Sequence, residues 1–388
     1  MAGGTPQPPV QTHHHAVDPK SQAMMDMPEC NFVEWVEQNG GVFGQQGSGL
    51  DDMDFVLIGG GQANLYLSIL LKGAGADVTV LEAREALAGR AECHVFSDGS
   101  QAAMGMMRYG RGGALWGNIL GELGYVLKSD FPNPGVVPTL IAYGDERTDW
   151  NDTSINPRNF ETVNAAYNSF LEDGFEDLQG WHVIRRHLQG GHSEAAIQAI
   201  QAWINRFGSH TFGGAFREIF AGQWTEDDFT RFDALGVGAG GYGVLNETSL
   251  FTIMRVVVNG FEDAQCSIGK WDGAEYADVS PQDVVQALGR YAEALGVDIR
   301  LGSTANKVEG DGDRITVRTT DGTEFTGDHV VVGTTFPAMA DIAGLSGHID
   351  APIFGAFTSI EPCLSGKLFA LVNVSGIHEV NNSDFPRM

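Results

Sequence analysis

The chain has 388 residues, room for two domains or one interleaved pair, and an ordinary globular apolar fraction of 43%. Its net charge of −27 argues against a nucleic-acid partner, because binding a phosphate backbone requires Lys and Arg to displace counterions. No stretch reaches the ~18–20 apolar residues of a membrane span. The leading MAGGTPQPPVQTHHHAVDPK also lacks the basic start and apolar run of a secretory signal, which points to the cytoplasm.

Residues 1 to about 25 are rich in Pro, Gln and His and are expected to lack fixed structure. His13, His14 and His15 in such a tail are not read as a metal site, and no metal is expected elsewhere. NFVEWVEQNGG, from Asn31, reads as a short amphipathic helix ended by glycine. Phe55–Ile58 is a buried-strand signal, Leu65–Lys72 a helix and Asp77–Leu81 a second strand. Between about 113 and 270 the period is mostly helical, interrupted by the loops FPNPGVVP (131–138) and GVGAGGYG (236–243). VSPQDVVQALGRYAEALG, from Val279, is a helix with Ser280 or Pro281 at its start, Asp283 in its first turn and Gly296 at its end. Residues 297–335 give four strand-like runs, the middle ones separated by Gly-Asp and Asp-Gly turns. The four cysteines, Cys30, Cys93, Cys266 and Cys363, show no CxxC spacing and read as reduced, buried small hydrophobes.

The stretch FVLIGGGQANLYLSILLKGAGADVTVLEAREALAGR carries the chemistry. A glycine-rich turn after a strand brings backbone close to a pyrophosphate, and the following helix aims its free N–H groups at that charge. Gly59, Gly60 and Gly61 fill the turn, and Ala63 follows in the first helical turn. Glu82 ends the second strand 23 residues after Gly59, a spacing suited to a ribose diol. Asn64 stands where the fingerprint has its third glycine, which predicts a slight splay of helix from strand.

LEAREALAGR (81–90) resembles the LEAxxRxGGR segment of the flavin-containing amine oxidase superfamily, with Ala88 in place of one glycine. QAAMGMMRYG (101–110) resembles the GAMR segment of the branch that oxidises L-amino acids. FDALGVGAGGYGVLNETSLFTIMRVVVNGFED (232–263) is similar to the substrate-domain core of the tryptophan 2-monooxygenase and L-amino-acid-oxidase branch. SGKLFALVNV (365–374) resembles the strand bearing that family's active-site lysine. The resemblance covers roughly residues 50–388.

It implies an α/β fold: an FAD-binding Rossmann-like domain interleaved with an α+β substrate domain. The implied division is a tail and short helix at 1–50, FAD-binding parts at 51–112 and 276–340, and substrate-domain parts at 113–275 and 341–388. FAD would be held by Gly59, Gly61, Ala63, Asn64, Glu82, Ala83, Arg84, Gly89, Arg90, Met106, Met107, Arg108, Val308 and Thr334. Arg108 would also grip the substrate carboxylate with its planar guanidinium. Lys367 would hold a water against flavin N5. The implied reaction passes a hydride from the Cα of an L-amino acid, aromatic by preference, to flavin N5, followed by O2. The products are a 2-oxo acid, ammonia and peroxide, or an amide after decarboxylation.

The chain ends about twenty residues after Lys367, where the family continues with a further flavin segment. A second polypeptide, in a hetero-oligomer such as a hetero-tetramer, is therefore expected to complete the fold. Three other readings stand beside this one. They are an amine oxidase without carboxylate recognition, a carotenoid-desaturase-like flavoenzyme, and a noncatalytic partner or scaffold subunit that keeps the fold.

Overall fold

The computed structural model describes residues 41–44, 47, 49–110, 114–128, 131, 136–152, 158–190, 192–235, 246–258, 260, 265–310 and 314–359. The expected helix from Asn31, the GVGAGGYG loop and the strand around Lys367 lie outside the described residues.

The chain opens with β1 (Asp54–Ile58), α1 (Gln62–Gly73) and β2 (Asp77–Leu81), followed by β3 (Cys93–Val95), β4 (Gln101–Ala103) and β5 (Tyr109–Gly110). Next come α2 (Ala114–Glu122), β6 (Tyr125–Lys128), and a hairpin of β7 (Thr139–Tyr143) and β8 (Glu146–Trp150). A helical stretch follows: α3 (Glu161–Asp173), α4 (Trp181–Gln189), α5 (Ser193–Phe207), α6 (Phe212–Ile219), α7 (Glu226–Leu235) and α8 (Leu250–Val258). The remainder is β9 (Gln265–Trp271), β10 (Tyr276–Asp278), α9 (Pro281–Ala294), β11 (Asp298–Arg300), β12 (Ala305–Gly310), β13 (Ile315–Thr319), β14 (Glu324–Gly327), β15 (His329–Val332), α10 (Phe336–Ala340) and α11 (Ala351–Thr358).

A parallel sheet in the order β11-β2-β1-β15 forms the centre. Side chains alternate across it, as the period of two requires. Leu57, Val78 and Val80 join Leu65 and Ile69 of α1 and Val285, Leu288 and Ala292 of α9 in one core layer. Val56, Ile58 and Leu81 turn the other way, toward Val308 and Val317 of the antiparallel sheet β12-β13-β14. Both faces of the parallel sheet are thus covered, which is why its strands read as continuous apolar runs. Ile342 and Leu345 lie in the second layer with Val308. The apolar layer on this face of the parallel sheet thus continues to Leu345, packed over β12.

The six helices α3 to α8 build a separate aromatic core around Tyr167, Trp181, Trp203, Phe207, Phe212 and Phe216. Phe170 meets Trp181 edge-on with ring centres 5.0 Å apart, a favoured aromatic arrangement. Trp203 satisfies its indole N–H on the carbonyl of Gln179 at 2.9 Å.

The stretch from 113 to 270 is less uniformly helical than its period predicts. β7 and β8 form a hairpin in which Tyr143 faces Glu146, so two residues make the turn. Gly144 takes the first of them at φ +54, the glycine-first arrangement of a tight hairpin. β5 and β6 both pair with β9, with Tyr109 opposite Cys266. Residues 297–335 make five strands rather than four, since the short β11 joins the parallel sheet beside β2.

The start of α9 matches its sequence signal. Ser280 Oγ accepts from Asp283 N–H, and the Asp283 carboxylate accepts from Ser280 N–H at 2.9 Å. Pro281 follows at the first helical position. Ser280→Ala is expected to lower unfolding free energy by about 1 kcal/mol in a urea titration. An unchanged midpoint would show that the Asp283 half of the box suffices.

Candidate functional site

The site forms at the carboxyl ends of β1, β2 and β15, where parallel α/β sheets place their ligands. Gly59 follows β1 at φ +102, a conformation that favours glycine. A Cβ there would also come within 3.0 Å of the Gly333 carbonyl oxygen, just past β15. At Gly60 a Cβ would fall 2.5 Å from Leu87 Cδ2 and 3.0 Å from Glu82 Cβ. Gly61 is the N-cap of α1, has no side-chain cap, and a Cβ on it would meet nothing within 4 Å. The turn is therefore tight on its protein side and open at the helix N-terminus, the geometry a pyrophosphate uses.

Glu82 is 7% exposed. Its Oε2 accepts from Gly60 N–H at 2.7 Å and its Oε1 from Arg84 N–H at 3.0 Å. An ionised carboxylate has about four lone-pair positions, so each oxygen keeps capacity for a ribose hydroxyl. Arg84 donates to Glu92 at 2.7 Å and to the Gly89 carbonyl at 3.3 Å, bracing the turn that carries Arg90. That turn is the 3-10 segment Gly89–Ala91, and a Cβ on Gly89 would touch Gly61 Cα at 3.2 Å. Arg90 is exposed beside the open helix end. Ala63 and Ala83 are exposed at the same end of the sheet.

The two arginine segments are joined. Met106 N–H donates to Arg90 O and Met104 N–H to Glu92 O, both at 2.9 Å. Gly105 permits this approach, because a Cβ on it would lie 1.9 Å from Arg90 O. Arg108 follows at intermediate burial, its guanidinium 5.2 Å from the Phe131 ring centre. Burial pushes its pKa below the usual arginine value, so its charge is incompletely solvated. Met106 packs between two core clusters, and Met107 is partly buried.

Tyr109 and Trp116, next along the chain, belong to the core cluster around Cys266 and Ile268. Their rings stack 6.0 Å apart with 5° between planes. The Tyr109 hydroxyl and the Trp116 indole N–H are buried with no hydrogen-bond partner among the described residues. Burial pushes the Tyr109 hydroxyl pKa up, with Cys93 adding to the shift.

Two expected positions also make contacts within the fold. Asn64 is buried and turns inward, its Nδ2 donating to Ile58 O at 3.0 Å and Gly59 O at 2.9 Å. Its side chain takes the space that a Cβ on Gly333 would need, so the residue just past β15 supplies the glycine missing from the fingerprint. Val308 has its N–H on Ala343 O at 2.8 Å and its side chain in the core below Ile58 and Leu81. Its N–H is thus already engaged within the fold. Thr334 lies beside the glycine turn, with its methyl 3.6 Å from where a Gly59 Cβ would stand. Lys367 lies outside the described residues. Among the described residues no group of three or more His, Cys, Asp or Glu could hold a metal, and no helix is long and apolar enough to cross a membrane.

The cradle fits the ADP half of a flavin dinucleotide: a tight glycine turn, an open helix end, a buried carboxylate and an adjacent arginine. Comparison with known proteins agrees. The sequence profile of flavin containing amine oxidoreductases matches residues 66–355. The chain is 34% identical over 230 residues to tryptophan 2-monooxygenase of Agrobacterium vitis, covering 55% of this chain and 30% of that protein. To the enzyme of that name from Pantoea agglomerans pv. gypsophilae it is 28% identical over 316 residues, covering 77% and 55%. The matched region thus spans between about a third and a half of these curated relatives. Among solved structures, a putrescine oxidase bound to putrescine superposes with a TM-score of 0.53 at 17% identity, covering 75% of this chain and 60% of that one. At that identity the likeness speaks for the two-domain fold alone.

Proposed function

The chain belongs to the flavin containing amine oxidoreductase family, whose cofactor is FAD, and from that premise we propose that it serves the oxidation of an L-amino acid, with an aromatic side chain preferred. One observation carries the reading. The hydrogen bond from Met106 to Arg90 ties the phosphate end of the dinucleotide cradle to the segment that presents Arg108. A substrate carboxylate on Arg108 would therefore be held at a set distance from the cofactor.

Bound FAD would supply the two-electron acceptor and the reaction with dioxygen. The chain's own residues bind and orient. Glu82 takes the ribose hydroxyls, Gly61 and Ala63 offer backbone N–H groups to the pyrophosphate, and Arg90 adds charge beside it. Arg108 fixes the carboxylate and so aims Cα. Relatives named tryptophan 2-monooxygenase favour the outcome in which one oxygen atom enters the product, an L-amino acid and O2 giving an amide, CO2 and water. The alternative consumes water as well and gives 2-oxo acid, ammonia and hydrogen peroxide.

The test is direct. The full chain titrated with FAD should quench flavin fluorescence saturably. L-tryptophan added under nitrogen should then bleach the visible band, and tryptamine should do so far less well. A chain that fails to bind FAD sinks the reading. Equal bleaching by both compounds sinks the carboxylate assignment and leaves a simple amine oxidase.

A further inference from the structure

We propose that Asn64 is a positioning residue that sets the Glu82 carboxylate for ribose recognition through a single peptide plane. The inference deepens the dinucleotide reading above and rests on it.

The peptide linking Gly59 to Gly60 is trans, as are all the described bonds, so its C=O and N–H point to opposite edges. On one edge Gly59 O accepts from Asn64 Nδ2 at 2.9 Å. On the other, Gly60 N–H donates to Glu82 Oε2 at 2.7 Å. Asn64 Nδ2 also donates to Ile58 O at 3.0 Å, so the side-chain amide bridges two consecutive carbonyls at the end of β1. Asn64 and Glu82 thus clamp one peptide from its two sides.

Glycine conformational freedom makes the clamp necessary. Gly59 and Gly60 have no side chains to hold the plane, and Gly59 sits at φ +102, where the backbone rotates with little steric guidance. If that plane turned, Gly60 N–H would leave Oε2 and the carboxylate would lose one of its two backbone anchors. The other, Arg84 N–H on Oε1, cannot by itself fix rotation about the carboxylate axis. A glycine at position 64 would give close packing but no donor. Here the packing room is provided at Gly333 instead, whose Cβ position lies 2.5 Å from Asn64 Nδ2.

The prediction concerns selectivity more than stability. The probe is ADP against 2′-deoxy-ADP, bound to the full chain and followed by calorimetry. In the wild type, ADP should bind at least about tenfold more tightly, the value of one charge-assisted hydrogen bond from Glu82. In Asn64→Gly that ratio should fall to within about threefold of one. Asn64→Gly combined with Gly333→Ala restores bulk without restoring a donor. It should recover much of any lost melting temperature while the ratio stays near one. Wild-type discrimination in either variant overturns the inference and leaves Asn64 as packing. Absence of ADP binding to the wild-type chain overturns the dinucleotide reading and the inference together.

Discussion

Glu82→Ala is expected to weaken FAD and ADP binding at least about a hundredfold, which is about 2.7 kcal/mol. The carboxylate is almost wholly enclosed and already accepts from two backbone N–H groups, those of Gly60 and Arg84. Its remaining lone pairs would accept from the ribose, and hydrogen bonds to a charged group are each worth about 1.5–3 kcal/mol. Alanine removes these ribose contacts. It also leaves the Gly60 and Arg84 N–H groups without acceptors, so the glycine turn loosens as well. The melting temperature should therefore fall even without ligand. Glu82→Gln keeps the shape and an amide oxygen, and should retain one backbone anchor while losing the charge. Its affinity should fall between those of the wild type and Glu82→Ala. Isothermal titration of ADP separates the cases, and wild-type affinity in a folded Glu82→Ala chain would remove Glu82 from the site.

Much of this cradle was legible in sequence because its determinants are local. A strand, a glycine turn, a helix and a strand closed by Glu82 are contiguous, and each element is announced by its own pattern. Asp77–Leu81 matches the observed strand end to end. The capping signal at Ser280 likewise depends on four neighbouring residues. What was hidden depends on partners far along the chain. Asn64 predicts a slight splay of helix from strand until Gly333, 269 positions later, is seen to vacate its space. Val308 suits an adenine contact by strand position, yet its N–H is taken by Ala343, a pairing no period reveals. The β7–β8 hairpin was masked by the mostly helical period of residues 113–270, although its Gly-Asp turn is a local signal. Tyr109 and Trp116 look like ordinary core aromatics in sequence. Only their stacking, with both polar atoms buried and unpartnered among the described residues, distinguishes them.

Arg108→Ala should weaken L-amino-acid binding by about 3–5 kcal/mol, the loss that follows when one partner of a poorly solvated ion pair is removed. The guanidinium stands against the Phe131 ring, and burial holds its pKa below the usual arginine value. It nevertheless stays charged at any working pH, because arginine does not deprotonate in proteins. A carboxylate ligand would accept two parallel N–H···O bonds from the guanidinium, which would fix its orientation. The contact would exist in the ground state and the transition state alike. Its loss should therefore appear mainly as a raised KM, with kcat changed less. Arg108→Lys should recover only part of the affinity, since an ammonium keeps the charge but not the planar fork. Tryptamine, which has no carboxylate, provides the internal control. Its binding should be nearly the same in the wild type and Arg108→Ala, so the preference for tryptophan over tryptamine should collapse in the variant. If the variant keeps wild-type affinity for tryptophan, the carboxylate is held elsewhere and the L-amino-acid assignment of Arg108 fails. If both compounds weaken equally, Arg108 supports the pocket wall through Phe131 and β5 and does not recognise the substrate.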